Sequence, residues 1–355
     1  MTWFKQNGWM VGDRPSRVMA LGLLSVLVVV FCLSLSLGSV AIPLDQVLTI
    51  LVGGRPDRAT WGTIVLQFRL PRALTASLAG AALSVSGLQM QTLFRNPLAG
   101  PFVLGINAGA SLGVALVVLA VQLAGMSGQW RQLGWLSDLG LVAAAGLGAA
   151  ITLVIVLLVA RRLQNSMTLL ILGLMIGYAA NGIVTVLLYF STAEQVQTYL
   201  LWTFGSFAGV SWRQLRLLAP LVGLGLALAQ VCFKSLNLML LDDMRATSLG
   251  LNVQQSRLWI ILSAALLAGT VTAFCGPIAF LGVAVPHLCR SLLQTLDHRW
   301  LVSATAALGA SLALVADLIA QMPGQAIALP LNAVTALIGA PVVTWIILKR
   351  QQLEG

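Results

Sequence analysis

Residues 91–113 read QTLFRNPLAGPFVLGINAGASLG and interrupt an otherwise apolar sequence with an arginine, two asparagines and two prolines. Neither proline suits a helix interior, because proline lacks the backbone N–H and clashes with the preceding turn. Three glycines recur at four-residue spacing, which gives a helix a bare edge for close packing: Gly105, Gly109 and Gly113. Irregular polar backbone at membrane depth is tolerated only where it is buried in protein or lines a wet cavity. The stretch is therefore predicted to be a packing hinge or part of a pathway.

The composition around this stretch is that of a polytopic membrane protein. Of the 355 residues, 59% are hydrophobic and only 8% are charged, whereas a soluble domain carries about 25% charged residues. The apolar runs are continuous and as long as a bilayer-spanning helix, and they lack the alternation of a membrane strand. An all-α fold is predicted.

Ten candidate spans follow from the apolar runs. The second is long enough to tilt or project beyond the bilayer, and the eighth is short and begins at the helix break Gly276-Pro277. Residues 257–286 could instead form one broken helix, which would leave nine spans. The ten predicted spans are 18–37, 62–94, 102–124, 139–160, 168–190, 214–233, 257–275, 277–286, 300–320 and 330–348.

Charge distinguishes ten spans from nine. With ten spans and an inner N-terminus, inner loops hold 13 of the 20 Lys and Arg residues and outer loops hold 7, as the positive-inside rule requires. Nine spans would move Lys349 and Arg350 outside. We therefore predict one transmembrane domain over residues 1–355, with an N-terminal tail at 1–17 and both termini in the cytoplasm.

Catalytic and metal-binding patterns are absent from the sequence. The two histidines and four cysteines show no metal-ligand spacing, and no phosphate-binding glycine loop occurs. Basic runs interleaved with aromatics, which would indicate nucleic-acid binding, are also absent. An intramembrane enzyme would need a nucleophile–base pair or a metal set, so no cofactor is predicted in this chain. If ATP drives the protein, another chain binds it.

Asp317 is the one acidic residue well inside a predicted span. An intramembrane carboxylate is costly and is a functional candidate by default. Two interpretations stay open: a helix-packing carboxylate bonded to a neighbouring helix, or the titrating group of an ion-coupled secondary carrier.

Six stretches, spread in order over nearly the whole chain, resemble the FecCD/BtuC-type permeases of ABC importers. They are 69–72 (RLPR), 95–105 (RNPLAGPFVLG), 202–212, 245–250 (RATSLG), 276–287 and 335–341 (TALIGAP). The resemblance implies the type II ABC importer architecture, with about ten helices in each of two permease subunits. It also implies two ATPase subunits that bind ATP and Mg, and a substrate-binding protein outside the bacterial inner membrane.

The resemblance further implies a substrate class. FecCD/BtuC-type permeases carry iron chelates, haem or cobalamin, and stretches 245–250 and 275–290 look most like the ferric citrate and siderophore branch. A ferric siderophore or ferric citrate is therefore the expected substrate, with cobalamin or haem as the alternative.

Site residues are implied by the same resemblance. Arg69 and Arg72 map to arginines that meet glutamates of the binding protein, an arrangement that orients a partner. The inner gate maps to Asn96, Leu98, Ser166 and Met167. The segment that contacts the ATPase maps to the loop 234–257, at Arg245, Ala246, Thr247, Ser248, Leu249 and Gly250, and this loop is long enough for one or two short helices.

Two further expectations concern the substrate and the partner permease. Substrate contacts are predicted from polar or flexible side chains on helix faces: Asn107, Met175, Tyr178 and Asn181. Gln321 stands where family members usually carry an arginine, and Ala328 to Asn332 replaces the usual Glu-Leu-Pro-x-Gly. A second, different permease would then supply the missing docking arginine.

Overall fold

The computed structural model describes residues 17–123, 135–163, 166–322 and 328–354. The secondary structure in these ranges is helical throughout, and a 3₁₀ turn, Pro101–Leu104, precedes the fourth helix. The helices are α1 Arg17–Ser36, α2 Leu44–Leu51, α3 Ala59–Leu93, α4 Ile106–Leu123, α5 Trp135–Ala160, α6 Ser166–Tyr189, α7 Ala193–Thr203, α8 Trp212–Val231, α9 Phe233–Met239, α10 Asp243–Ser248, α11 Val253–Cys275, α12 Leu281–Leu293, α13 His298–Gln321 and α14 Leu331–Glu354. Residues 1–16 of the predicted tail lie outside the described residues.

The predicted all-α membrane class is confirmed. Within the described ranges, seven helices are long and apolar enough to cross a membrane: α1, α3, α5, α6, α8, α11 and α13. Three shorter apolar helices, in α4, α12 and α14, lie where the third, eighth and tenth spans were predicted.

The eighth span differs from its predicted bounds of 277–286. Helix α11 ends at Cys275, Gly276 has a φ of +74°, and α12 runs from Leu281 to Leu293. Pro286 lies inside α12 rather than ending it, because a proline removes only the one intrahelical bond that its own N–H would make. At 13 residues, α12 is about 20 Å long, shorter than the roughly 30 Å hydrocarbon core of a bilayer.

Helix α3 is the centre of the bundle, and most of its membrane-spanning part is buried inside the chain. Its residues Ile64–Arg69 form a π-helical segment directly before Leu70 and Pro71. Such a segment rotates the side chains that follow it, and π-segments inside α-helices are frequent at functional sites.

Helix α13 runs antiparallel to α3. The backbones meet at Gly80 and Gly309, where a Cβ on either glycine would overlap the other helix. Thr92, late in α3, lies beside His298 at the start of α13, whereas Arg72, early in α3, lies beside Asp317 late in α13. The bundle therefore has a predicted outer end, which holds Arg72, and a predicted inner end, which holds Thr92.

The glycine edge within residues 91–113 packs as predicted, with one correction. Gly109 and Gly113 press against Gly148 and Ala144 of α5, where a Cβ would overlap backbone atoms. Gly105, however, precedes α4 with a φ of +74°. An L-residue rarely adopts this conformation, so Gly105 is a turn residue and not part of the helical edge.

Candidate docking, gate and coupling sites

Arg69 lies at the predicted outer end, at the end of the π-helical segment. Its guanidinium is buried and donates hydrogen bonds to the carbonyls of Leu35 and Ser36, at 2.8 Å each, and to that of Val40. These bonds hold the end of α1 and the segment after it against α3. A docking role for Arg69 stays a prediction, and this burial argues against it, because the N–H groups are directed at carbonyls of their own chain.

Arg72, one turn further along α3, is paired with Asp317 of α13. Its Nε and Nη2 contact both carboxylate oxygens at 2.8–3.1 Å, and Gln321 donates to the same carboxylate at 2.8 Å. Asp317 is buried, whereas the Arg72 side chain retains partial exposure. This pairing with an arginine of a neighbouring helix fits the helix-packing interpretation of the carboxylate.

A cleft of about 500 Å³ opens beside this pair. Arg69, Arg72 and Gln321 line it together with Phe68 and Ser211. At the position where family members usually carry an arginine, Gln321 supplies a neutral donor to Asp317. One carboxylate therefore faces one guanidinium here, and the cleft carries no additional positive charge from residue 321.

The predicted gate turn follows α3 at the inner end. Arg95 has a φ of +47°, the Asn96 carboxamide oxygen accepts from the N–H of Leu98 at 2.9 Å, and the side chain of Leu98 is exposed. The Nε2 of His287 lies 2.8 Å from the carbonyl oxygen of Pro97. A carbonyl can only accept, so Nε2 donates and holds the turn against α12.

The second predicted gate segment, Ser166 and Met167, opens α6. Ser166 is half-buried and Met167 is exposed. Two turns further along, Gly173 packs against the backbone of Val103 and Leu104. Both predicted gate segments are therefore connected through the short 3₁₀ turn that follows residues 95–98.

The predicted loop 234–257 contains the short helices α9 and α10 and the first turn of α11. The Asp242 carboxylate accepts from the N–H of Arg245 at 2.8 Å and caps α10. Gly250, with a φ of +87°, ends it, and the N–H of Leu251 bonds to the carbonyl of Ala246. This is the Schellman arrangement that glycine favours.

The exposed side chains of α10 differ in one respect from those predicted. Ala246 is fully buried, whereas Leu249 is 62% exposed and Met244 is 83% exposed. Arg245, Thr247 and Ser248 are exposed as well. The apolar surface that this helix offers is therefore formed by Met244 and Leu249, because Ala246 faces the body of the protein.

The four predicted substrate contacts fall into two groups. Met175, Tyr178 and Asn181 are exposed on α6 and are not covered by their own chain. Asn107 is half-buried in the first turn of α4, and its carboxamide oxygen is shielded from solvent with no hydrogen-bond donor from any described residue. A ligand would therefore meet exposed side chains on α6 but a half-buried carboxamide on α4.

In the part of the chain that the structure describes, His, Cys, Asp and Glu side chains form no group of three or more that could hold a metal ion. Long apolar helices, a small-residue core and polar groups gathered at the two ends define a polytopic membrane protein.

Comparisons with known proteins define the class further. The model of the FecCD transport family matches residues 26–349. BtuC, the vitamin B12 import system permease protein of Escherichia coli O9:H4 (strain HS), is 38% identical over 290 residues, which cover 81% of this chain and 84% of that protein. BtuC of Klebsiella pneumoniae subsp. pneumoniae is 37% identical over 339 residues, 95% of each chain.

A solved structure is also similar. It is described as an inward-facing conformation of a metal-chelate type ABC transporter, and it has a TM-score of 0.80 and 28% identity over 94% of this chain and 99% of that one.

The chain belongs to the FecCD transport family. It is a permease subunit of an ABC importer, a transport component rather than an enzyme. Permeases of this class work as dimers with ATPase subunits and a substrate-binding protein.

Proposed function

We propose that this chain forms the membrane pathway of an ABC importer for a corrinoid such as vitamin B12. The observation that carries the proposal is the match to BtuC permeases at 37–38% identity over 81–95% of the chain. This replaces the sequence-based preference for a ferric siderophore or ferric citrate with the alternative substrate of the same family.

The proposed pathway runs along α6, between two permease subunits. Its exposed face carries Tyr178 and Asn181 in the middle of an apolar span. Polar groups that face lipid in the middle of a span are costly, so this face favours a second permease or a wet cavity. Asn107, whose carboxamide oxygen accepts from none of the described residues, supplies a further acceptor in the same half of the chain.

The two ends of the bundle have different proposed partners. The cleft beside Arg72 faces the substrate-binding protein, and Met244 and Leu249 of α10 insert into a groove of the ATPase. The ATPases hold ATP and Mg, and this chain needs no cofactor of its own. Both termini lie in the cytoplasm of a bacterium, and the bundle spans its inner membrane, as the excess of inner Lys and Arg supports.

Ion-coupled transport through Asp317 is the competing mechanism. The bidentate pairing of this carboxylate with Arg72 supports a packing role between α3 and α13 rather than a place on an ion pathway. The family match, which places the chain among ABC importer permeases, supports ATP as the energy source.

The test is uptake into proteoliposomes that contain the permease with its cognate ATPase and binding protein. We expect ATP inside the vesicles to drive uptake of labelled cyanocobalamin and not of a labelled ferric siderophore. Uptake driven by a proton gradient without ATP would contradict the importer mechanism, and uptake of only the ferric siderophore would contradict the substrate.

A ferric chelate is the second candidate. The specific observation that favours it is the similarity, over nearly the whole of both chains, to a transporter described as metal-chelate type. The same vesicles with ferric citrate and a hydroxamate siderophore as substrates separate the two candidates.

A further inference from the structure

We propose that the carboxylate of Asp243, the first residue of α10, positions the two halves of the inner gate relative to this helix. Arg95 of the gate turn and Arg257 of α11 bind it from two sides. This inference rests on the proposed function, because it assigns to Asp243 the transmission of movement from the ATPase to the gate.

The first link joins α10 to the gate turn. Nη2 of Arg95 lies 2.6 Å from Oδ1 of Asp243, and Nε of the same guanidinium donates to the carbonyl of Met239, at the end of α9, at 3.2 Å. Arg95 directly precedes the predicted gate residues Asn96 and Leu98. One guanidinium therefore connects the gate turn with both short helices of the coupling segment.

The second link joins the same carboxylate to the start of α6. Nη2 of Arg257 lies 3.5 Å from Oδ2 of Asp243, and its Nη1 donates to the carbonyl of Leu163 at 3.1 Å. Leu163 precedes Ser166 by three residues. The Arg257 side chain is only 3% exposed, and its Nε donates to no described residue. A buried guanidinium requires a compensating anion, and Asp243 supplies it.

The backbone conformation at Arg95 does not by itself favour an arginine. The N–H of Asn96 bonds to the carbonyl of Gln91, and the N–H of Arg95 bonds to that of Thr92. Arg95 thus occupies the left-handed position after a helix, where glycine is favoured and other L-residues are strained. An arginine at this position offers no backbone advantage, but it supplies the guanidinium that binds Asp243.

The neighbouring residue Asp242 provides an internal contrast. Its carboxylate caps α10 and pairs with Arg245 of the same helix at 3.2 Å. Asp242 therefore stabilises α10 locally, whereas Asp243 connects α10 with the gate turn and with the segment before α6. When the ATPases move α10, Asp243 pulls on both arginines, and both gate segments move with the helix as a unit.

The decisive variant is Arg95→Gly, because glycine keeps the left-handed turn without strain while it removes the guanidinium. The complete complex of permease, ATPase and binding protein is reconstituted, and uptake of labelled cyanocobalamin is measured together with ATP hydrolysis. We expect Arg95→Gly to keep the melting temperature and the ATP hydrolysis rate, while the substrate transported per ATP falls about fivefold. Arg95→Lys, which keeps the charge, should restore most of the lost coupling.

Asp243→Asn and Asp242→Asn form the matched pair. Asparagine is as good a helix cap as aspartate, so Asp242→Asn should keep the native ratio of transport to hydrolysis, and Asp243→Asn should lower it. A native ratio in both Arg95→Gly and Asp243→Asn would overturn the inference. A parallel loss of melting temperature, hydrolysis and uptake in Arg95→Gly would overturn it too, by showing a role in folding only. Failure of the unmodified complex to take up substrate with ATP would instead contradict the proposed function.

Discussion

The two ends of the bundle use arginine–aspartate pairs in different ways. At the predicted outer end, Arg72 and Asp317 join α3 and α13, two long helices whose backbones are in contact at Gly80 and Gly309. At the predicted inner end, Asp243 joins the six-residue helix α10 to Arg95 and to α11. The first pair locks two elements that already pack tightly, whereas the second connects elements that pack only lightly.

This difference fits the two tasks of an importer permease. A docking surface benefits from rigidity, because a preorganised partner loses less conformational freedom on binding. A coupling segment has to move relative to the bundle, and it needs connections that survive the movement. Surface ion pairs contribute little to stability. The Arg95–Asp243 pair is therefore better explained by positioning the gate turn relative to α10 than by a contribution to the free energy of folding.

The largest expected effect tests the rigid outer pair. Asp317→Ala removes the carboxylate that neutralises Arg72, and breaking such a buried pair costs about 3 kcal/mol or more of folding free energy. We expect a clear loss of thermal stability in detergent. Asp45→Ala, at an exposed carboxylate of α2, is the control and should cost less than about 0.5 kcal/mol. Equal stability of both variants would show that the Arg72–Asp317 pair does not stabilise the contact between α3 and α13.

The next effect tests the contact surface of α10. Replacing the exposed Met244 and Leu249 together by alanine should weaken binding of the ATPase subunits by about 2 kcal/mol, because exposed apolar side chains that fill a partner's pocket dominate interface energies. Pull-down with increasing ATPase concentration measures the change. Thr198→Ala is the control, since this exposed α7 hydroxyl bonds back to the Glu194 carbonyl of its own helix outside the segment assigned to the ATPase, and it should bind as the unmodified chain does.

A smaller effect tests docking at the outer end. The double variant Arg72→Gln with Asp317→Asn removes both charges and keeps neutral hydrogen-bonding groups in the buried pair. We expect the binding protein to bind about tenfold more weakly at low salt, because the pair is neutral overall but its partly exposed guanidinium, which can donate to partner carboxylates, is lost. The difference should shrink at high salt. Surface plasmon resonance at two salt concentrations measures the affinity, and an unchanged affinity at low salt would remove Arg72 from the docking surface.

The smallest effect concerns the end of α10. Gly250→Ala places a side chain at a φ of +87°, which costs about 1 kcal/mol. We expect a small drop in melting temperature and weaker ATPase binding, because the end of the helix shifts. Gly182→Ala is the control, since this α6 glycine has no neighbouring atom within 4 Å of a Cβ. If Gly250→Ala is as stable as Gly182→Ala, the Schellman turn does not define the end of α10.

Much of the fold could be predicted from local properties of the chain. Hydrophobic length gives most of the spans, because a helix that crosses a bilayer needs about 20 apolar residues. Gly276 and Pro277 show where α11 ends, and Gly250 shows where α10 ends, because both depend on backbone conformation within a few residues. The length of α12 was not predicted, since Pro286 can end a helix or lie inside one and only its packing against α3 determines which.

The site depends far more on the tertiary structure. Arg69 and Arg72 belong to the same sequence motif, yet the fold buries the first against carbonyls at and just after the end of α1 and leaves the second partly exposed beside Asp317. The partners Arg72 and Asp317 are 245 residues apart in the sequence, and Arg95 and Asp243 are 148 apart. The sequence by itself therefore determined a helical membrane permease and the segments that carry its function, because periodicity, breaks and motifs are local. Only the tertiary structure determined which charged groups neutralise each other, because that depends on how distant helices pack.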